Sequence, residues 1–121
     1  MKIAELARAI EARLILPGGK DRPEIARIHG AETMSDLIAN AAADTLLITP
    51  LANNQLIRVA DLMDVPGICL VDGGVPDEAL VAQARATGVA VLITRADLQT
   101  TCARAIACLS AKKAAGKAAR P

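Results

Sequence analysis

The chain contains no phenylalanine, tyrosine or tryptophan. Its core must therefore be assembled from Leu, Ile, Val, Ala, Met and Cys, without the large areas that rings bury. The same absence removes the stacking platforms by which proteins hold single-stranded nucleic acids and flipped bases. Charge of one sign is also missing. Fourteen Lys and Arg are balanced against thirteen Asp and Glu, for a net charge of +1. Such a surface does not steer nucleic acid, and no helix-like stretch concentrates basic residues, so nucleic acid is not an expected partner. His29 is the lone histidine. With no nucleophile motif beside it, it reads as a surface or loop residue. Scattered carboxylates and one histidine do not make a metal site.

The three cysteines, Cys69, Cys102 and Cys108, include no CxxC pair. Cys102 and Cys108 are six apart on one helix-like stretch, hence roughly 240° around its axis, and cannot share a metal there. They read as small buried hydrophobes in a reducing compartment. Neither a cofactor nor a metal is expected. No apolar run approaches the roughly 20 residues of a membrane span. The opening Met1-Lys2-Ile3-Ala4-Glu5 is amphipathic and is not a charged cap before an apolar block. A cytoplasmic protein that does not enter a membrane is expected.

What the chain does have is alternation. Aliphatic runs at Thr45–Thr49, Gly67–Asp72 and Val89–Thr94 are each stopped by Gly, Pro, Asn or Asp, and a weaker run lies at Leu14–Pro17. Glu24–His29 offers a further short extended piece. Helical spacing separates the runs. The first helix is expected over 2–12, the second over Ser35–Ala42 with Thr33 or Ser35 as its cap. A third follows Asn53 and runs to about Met63. A fourth begins at Pro76, with Asp77 and Glu78 in its first turn, and stops at Gly88. The last follows Asp97 or Thr94 and runs to about Ala111. Strands alternating with helices specify an α/β fold. The expected architecture is a three-layer α/β/α domain over 1–111, with a mostly parallel sheet of four to five strands. A flexible basic tail over 112–121 follows.

In such sheets ligands gather at the carboxyl ends of the strands. Thr49, Gly73 and Thr94 end three strands that should be parallel neighbours, with Asn53, Asn54, Arg95 and Asp97 in the adjoining loops. Gly73-Gly74 makes a tight turn with positive φ. Because Asp72, Asp77 and Glu78 crowd that turn, a neutral or cationic ligand is expected there in preference to a phosphate. Asp36 and Asn40 are four apart and share a helix face. The candidate ligand-binding residues are therefore Asp36, Asn40, Thr49, Asn53, Gly73, Gly74, Thr94 and Asp97. The competing role for several of them is capping helix ends. No catalytic residue is assigned.

Ser35-Asp36-Leu37-Ile38-Ala39-Asn40-Ala41, then Leu47-Ile48-Thr49, the run from Gly67 to Glu78 with its Asp72-Gly73-Gly74-Val75-Pro76 turn, and Gly88–Thr94 together resemble the DRTGG domain. The opening helix followed by Asp21-Arg22 resembles it too. The chain departs from the family pattern at Arg27-Ile28, where a double glycine would align, and at Val75. The resemblance implies a relation to the N-terminal domain of HPr kinase and an α/β/α layered fold. Family members occur alone or fused to CBS domains, phosphotransacetylases and related enzymes, as regulatory or dimerising modules with no established activity. Stand-alone members in anaerobes are often encoded beside iron-only hydrogenase genes. The expected function is thus a non-enzymatic regulatory or assembly module that homodimerises and binds a small molecule at its strand ends. The alternatives are an accessory partner of a redox enzyme, such as an iron-only hydrogenase system, and a small enzyme with an unrecognised site.

Overall fold

The computed structural model of the chain describes residues 1–19 and 24–118. The Asp21-Arg22 pair lies outside the described residues, as do the last three residues of the basic tail. In chain order the elements are α1 (Ile3–Ala9), β1 (Arg13–Leu16), β2 (Arg27–Gly30), α2 (Met34–Asn40), β3 (Thr45–Thr49), α3 (Asn54–Leu62), β4 (Gly67–Leu70), α4 (Glu78–Thr87), β5 (Ala90–Ile93) and α5 (Leu98–Ala118).

The five strands form one sheet in the order β1-β5-β4-β3-β2. β2, β3, β4 and β5 are mutually parallel, and β1 alone runs antiparallel, against β5. The sheet is therefore mostly parallel, as the alternating pattern requires. Successive side chains on a strand point to opposite faces, and both faces here are covered. Leu47, Ile68, Leu70 and Val91 pack against Leu37 of α2, Leu56, Ile57 and Ala60 of α3, and Leu80 and Ala84 of α4. Leu46, Ile48, Cys69, Val71, Ala90 and Leu92 pack against Leu6, Ala7 and Ile10 of the first helical segment and Ala105 and Leu109 of α5. This is why β3 and β4 read as unbroken apolar runs: no position on them meets water. Each leucine so buried contributes roughly 1.5–3 kcal/mol of transfer free energy. The all-aliphatic core is thus two thin layers on one sheet.

Helix starts follow their capping residues. Thr33 Oγ1 accepts from the Asp36 amide at 3.3 Å, Asn53 Oδ1 from the Leu56 amide at 3.1 Å, Asp77 Oδ1 from the Leu80 amide at 2.8 Å and Asp97 Oδ1 from the Thr100 amide at 2.7 Å. These bonds satisfy amides that a helix cannot satisfy itself. Asp77 is therefore the cap and Pro76 precedes it, which corrects the expectation that Pro76 opens α4. Gly88 ends α4 with φ 77°, the left-handed cap that glycine takes without strain. Further boundaries differ from expectation: β2 spans Arg27–Gly30 in place of Glu24–His29, and α2 spans Met34–Asn40 in place of Ser35–Ala42. α1 ends at Ala9, because Glu11 already has φ 58° and turns the chain. α5 passes the expected end at Ala111 and continues to Ala118, carried by a run of alanines and lysines of high helix propensity. His29 lies on strand β2, half-buried, and not in a loop.

Candidate functional site

Parallel pairing brings the ends of β3, β4 and β5 to one rim. The ladder continues past the strands: the Val71 amide donates to Thr49 O at 3.1 Å, and the Thr94 amide donates to Leu70 O at 2.9 Å. The chain then turns. Asp72 and Gly73 have φ of 60° and 72°, and the Gly74 amide donates back to Val71 O at 3.1 Å. Two central residues with positive φ under such a bond give the type I′ pattern, for which Asp-Gly is a favoured pair. The turn is tied to the loop after β5, since the Asp72 amide donates to Ala96 O at 2.9 Å and the Gly73 amide to Thr94 O at 3.1 Å.

Beside this turn lies an open cleft of about 440 Å³, within the size range of small-ligand sites. Gly73, Gly74 and Val75 form one wall, Ile93, Thr94 and Arg95 another, and Glu11 with Arg13 a third. The third wall exists because β1 is antiparallel. Arg13 pairs with Ile93, so the start of β1 stands at the carboxyl rim of β5. Val75 is 79% exposed, an apolar surface at the mouth. Asp72, Asp77 and Glu78 are not among these walls, and the Asp77 carboxylate is directed at its own helix. Glu11 is paired with Arg104 of α5 at 3.0 Å.

The expected site residues divide into three groups. Gly73, Gly74 and Thr94 line the cleft. Thr49, Asn53 and Asp97 stand on the same rim, but their side-chain oxygens accept bonds from nearby main-chain amides: Thr49 Oγ1 from Leu51, Asn53 from Leu56 and Asp97 from Thr100. Thr94 Oγ1 likewise accepts from Ala96 at 3.2 Å. The amide and side-chain bonds from Thr100 hold the Asp97 carboxyl below its ordinary range. Asp36 and Asn40 lie elsewhere, beside the outer strand β2, three places from β5 in the sheet. Asn40 Nδ2 donates to Asp36 Oδ1 at 2.9 Å and to Asp36 O at 3.0 Å, and His29 Nε2 lies 3.1 Å from the same Oδ1. Asp36 thus joins a strand histidine to a helix asparagine. The spacing of Asp36 and Asn40 was readable, whereas the contact with His29 depends on how α2 folds over β2.

Two of the three thiols, Cys69 and Cys102, are held protonated by burial. Burial first, and the neighbouring Cys102 second, push the Cys69 thiol up to about 12. Burial also raises Cys102. Neither forms the thiolate that nucleophilic or metal chemistry needs near neutrality. Among the described residues, no group of three or more His, Cys, Asp or Glu side chains is placed to hold a metal ion. Among the same residues no helix is long and apolar enough to cross a membrane.

No protein-family model matches the chain, and no curated protein matches it. Among solved structures it is similar to the CBS and DRTGG domains of the regulatory region of Clostridium perfringens pyrophosphatase, a structure complexed with the activator diadenosine tetraphosphate. The TM-score is 0.66 at 12% identity, over 87% of this chain and 46% of that one. The fold is DRTGG-like. The DRTGG-like chain spans about half the length of that neighbour, and at this identity the likeness concerns the fold. It agrees with the parallel core of the sheet and with the layers of helices on both faces.

Proposed function

We propose that this DRTGG-like chain is a non-enzymatic regulatory or assembly module that homodimerises and binds a small ligand in the cleft between the β4 turn and the start of β1. The cleft carries the reading. It lies at the carboxyl ends of parallel strands, where α/β sheets collect ligands, and it is walled by two glycines that leave main chain accessible. The neighbour of like fold is a regulatory region complexed with a nucleotide activator, which supports regulation by a small molecule. A catalytic role has less support. The rim oxygens of Thr49, Asn53, Thr94 and Asp97 already accept main-chain bonds. The His29–Asp36 pair has no nucleophile assigned to it. Dimerisation is supported by the ring-free core and by apolar side chains left in water, including Leu62 and Ile106.

The test is a thermal-shift screen of nucleotides and small metabolites on the purified chain, followed by amide NMR with any hit. A hit that moves the amides of Gly73, Gly74, Ile93 and Thr94 supports the reading. A full screen that moves none of them overturns the ligand site. Light scattering decides the second half, and a monomer at all accessible concentrations overturns the dimer.

A further inference from the structure

We infer that the cleft takes an anionic ligand, of the phosphate or carboxylate class, held by Arg13 and Arg95. This deepens the ligand-site reading above and rests on it. The charged walls of the cleft are Glu11, Arg13 and Arg95. Both arginines are exposed, and neither occurs in the ion pairs found among the described residues. Glu11 is not available to answer them, because its carboxylate is paired with Arg104 from outside the cleft. The cleft walls therefore carry two guanidiniums that take part in no ion pair among the described residues, against one carboxylate paired with Arg104. Guanidinium forks present paired N–H donors that match the oxygens of phosphate and carboxylate.

The arrangement is built by the fold. Arg13 opens an antiparallel strand and Arg95 follows the parallel strand beside it, so the two come from opposite chain directions to one rim. The turn carboxylates Asp72, Asp77 and Glu78 are all exposed, but none lines the cleft, and Asp77 is held by the Leu80 amide. The two wall arginines therefore reverse the expectation of a neutral or cationic ligand. Val75 and Ile93 supply apolar wall next to the charges, which suits an anion carried on an uncharged body.

The experiment titrates the full chain with inorganic pyrophosphate, AMP and adenosine, read by the amides of Gly73, Gly74, Thr94 and Arg95. Pyrophosphate and AMP are expected to move these amides and to bind more weakly as salt is raised. Adenosine should bind at least tenfold more weakly than AMP. AMP binding without pyrophosphate binding would show that the uncharged body is also needed, with the anion still required. Arg13→Gln and Arg95→Gln should each weaken AMP about tenfold, the loss of one charge-assisted bond pair, while Arg58→Gln on α3 leaves affinity unchanged. Glu11→Gln should tighten binding, and Arg104→Gln should weaken it by releasing the Glu11 charge. If Arg13→Gln perturbs the edge strand, Arg95→Gln decides alone. Equal binding of AMP and adenosine at these amides, unaffected by Arg95→Gln, would overturn the anion assignment and leave the ligand site standing. No response of these amides to pyrophosphate or AMP would also overturn the anion assignment, and the broader metabolite screen then judges the site itself.

Discussion

Gly30 ends the outer strand β2 where α5 crosses it, and its missing side chain sets how closely the two pack. A Cβ added there would collide with Cys102 Sγ, would stand 3.0 Å from Leu98 Cδ1 and would stand 3.6 Å from Ile48 O. Gly30 is not among the residues of positive φ, so Gly30→Ala carries no backbone strain. By itself, alanine at such a site stabilises by about 0.4–1 kcal/mol through the unfolded chain. Overpacking against α5 opposes this with roughly 1–3 kcal/mol. The net expectation is a loss of about 1–2 kcal/mol, or roughly 3–8 °C in the thermal midpoint for a chain of this size. Cys102→Ala removes the obstructing sulfur and leaves only the mobile end of Leu98. In that background Gly30→Ala should be neutral or slightly stabilising, so the two substitutions couple by about 1–2 kcal/mol. Urea unfolding followed by far-ultraviolet circular dichroism measures all four corners of the cycle, since a chain without rings offers no useful fluorescence. If Gly30→Ala costs the same in both backgrounds, to within about 0.3 kcal/mol, the α5–β2 contact is not what fixes glycine at this position.

Gly73→Val should destabilise by about 1–2 kcal/mol through its φ of 72° alone, because nothing lies within 4 Å of an added Cβ. Gly73→Asn, which tolerates the left-handed region, should lose less, and an unchanged midpoint in both variants would contradict the turn assignment. Asp64 ends α3 with φ 57°, so Asp64→Gly should stabilise by up to about 1 kcal/mol, read as a higher urea midpoint at constant slope. The Cys69 thiol is raised from 9.0 to about 12 in the fold. A raised folded value means that its contribution is whole below pH 9.0 and is lost as pH climbs toward about 12. Stability of the wild type should fall more steeply through that window than that of Cys69→Ala, and parallel curves would refute the burial argument. Asp97 is lowered in the fold, so its capping contribution is present above the ordinary carboxylate range and disappears as pH falls through the folded value. Asp97→Ala should lower the midpoint at neutral pH and flatten the acid limb, whereas Asp97→Asn keeps the cap.

Thr45–Thr49 was legible to the residue because aliphatic and β-branched side chains fill it and Pro50 closes it. Gly67 and Gly88 bounded the next two strands in the same way, and Asn53 and Asp97 announced their helices as caps do. The rim of Thr49, Gly73 and Thr94 followed from those strands alone. The sense of β1 was not legible. Four residues, Arg13–Leu16, carry no mark of direction, and in the sequence the turn-forming Pro17-Gly18-Gly19 follows them in place of a helix-like stretch. A strand inserted the other way would have placed Arg13 at the far end of the sheet. Glu11 and Arg13 were therefore missed as cleft residues, although their charge was plain to see. His29 was missed as the partner of Asp36 for a related reason, since seven residues and a change of element separate them.

The direction of β1 also decides what the rim has left to offer. Each parallel strand is followed by a helix that starts at the rim, and the polar side chains there are drawn into closing it. Asn53, Asp77 and Asp97 cap α3, α4 and α5, and Thr49 and Thr94 brace the loops that lead to α3 and α5. Those oxygens complete the fold and have little capacity to spare. A strand that begins at the rim has no helix to start there, so the residues that precede and open it carry no capping duty. Arg13 is in that position, and Arg95 sits in the loop ahead of the Asp97 cap. The exposed positive charge of the cleft accordingly comes from the one strand that runs against the rest and from the loop of its neighbour. Reversing β1 while keeping every side chain would leave the parallel core and its caps intact and remove Arg13 from the cleft.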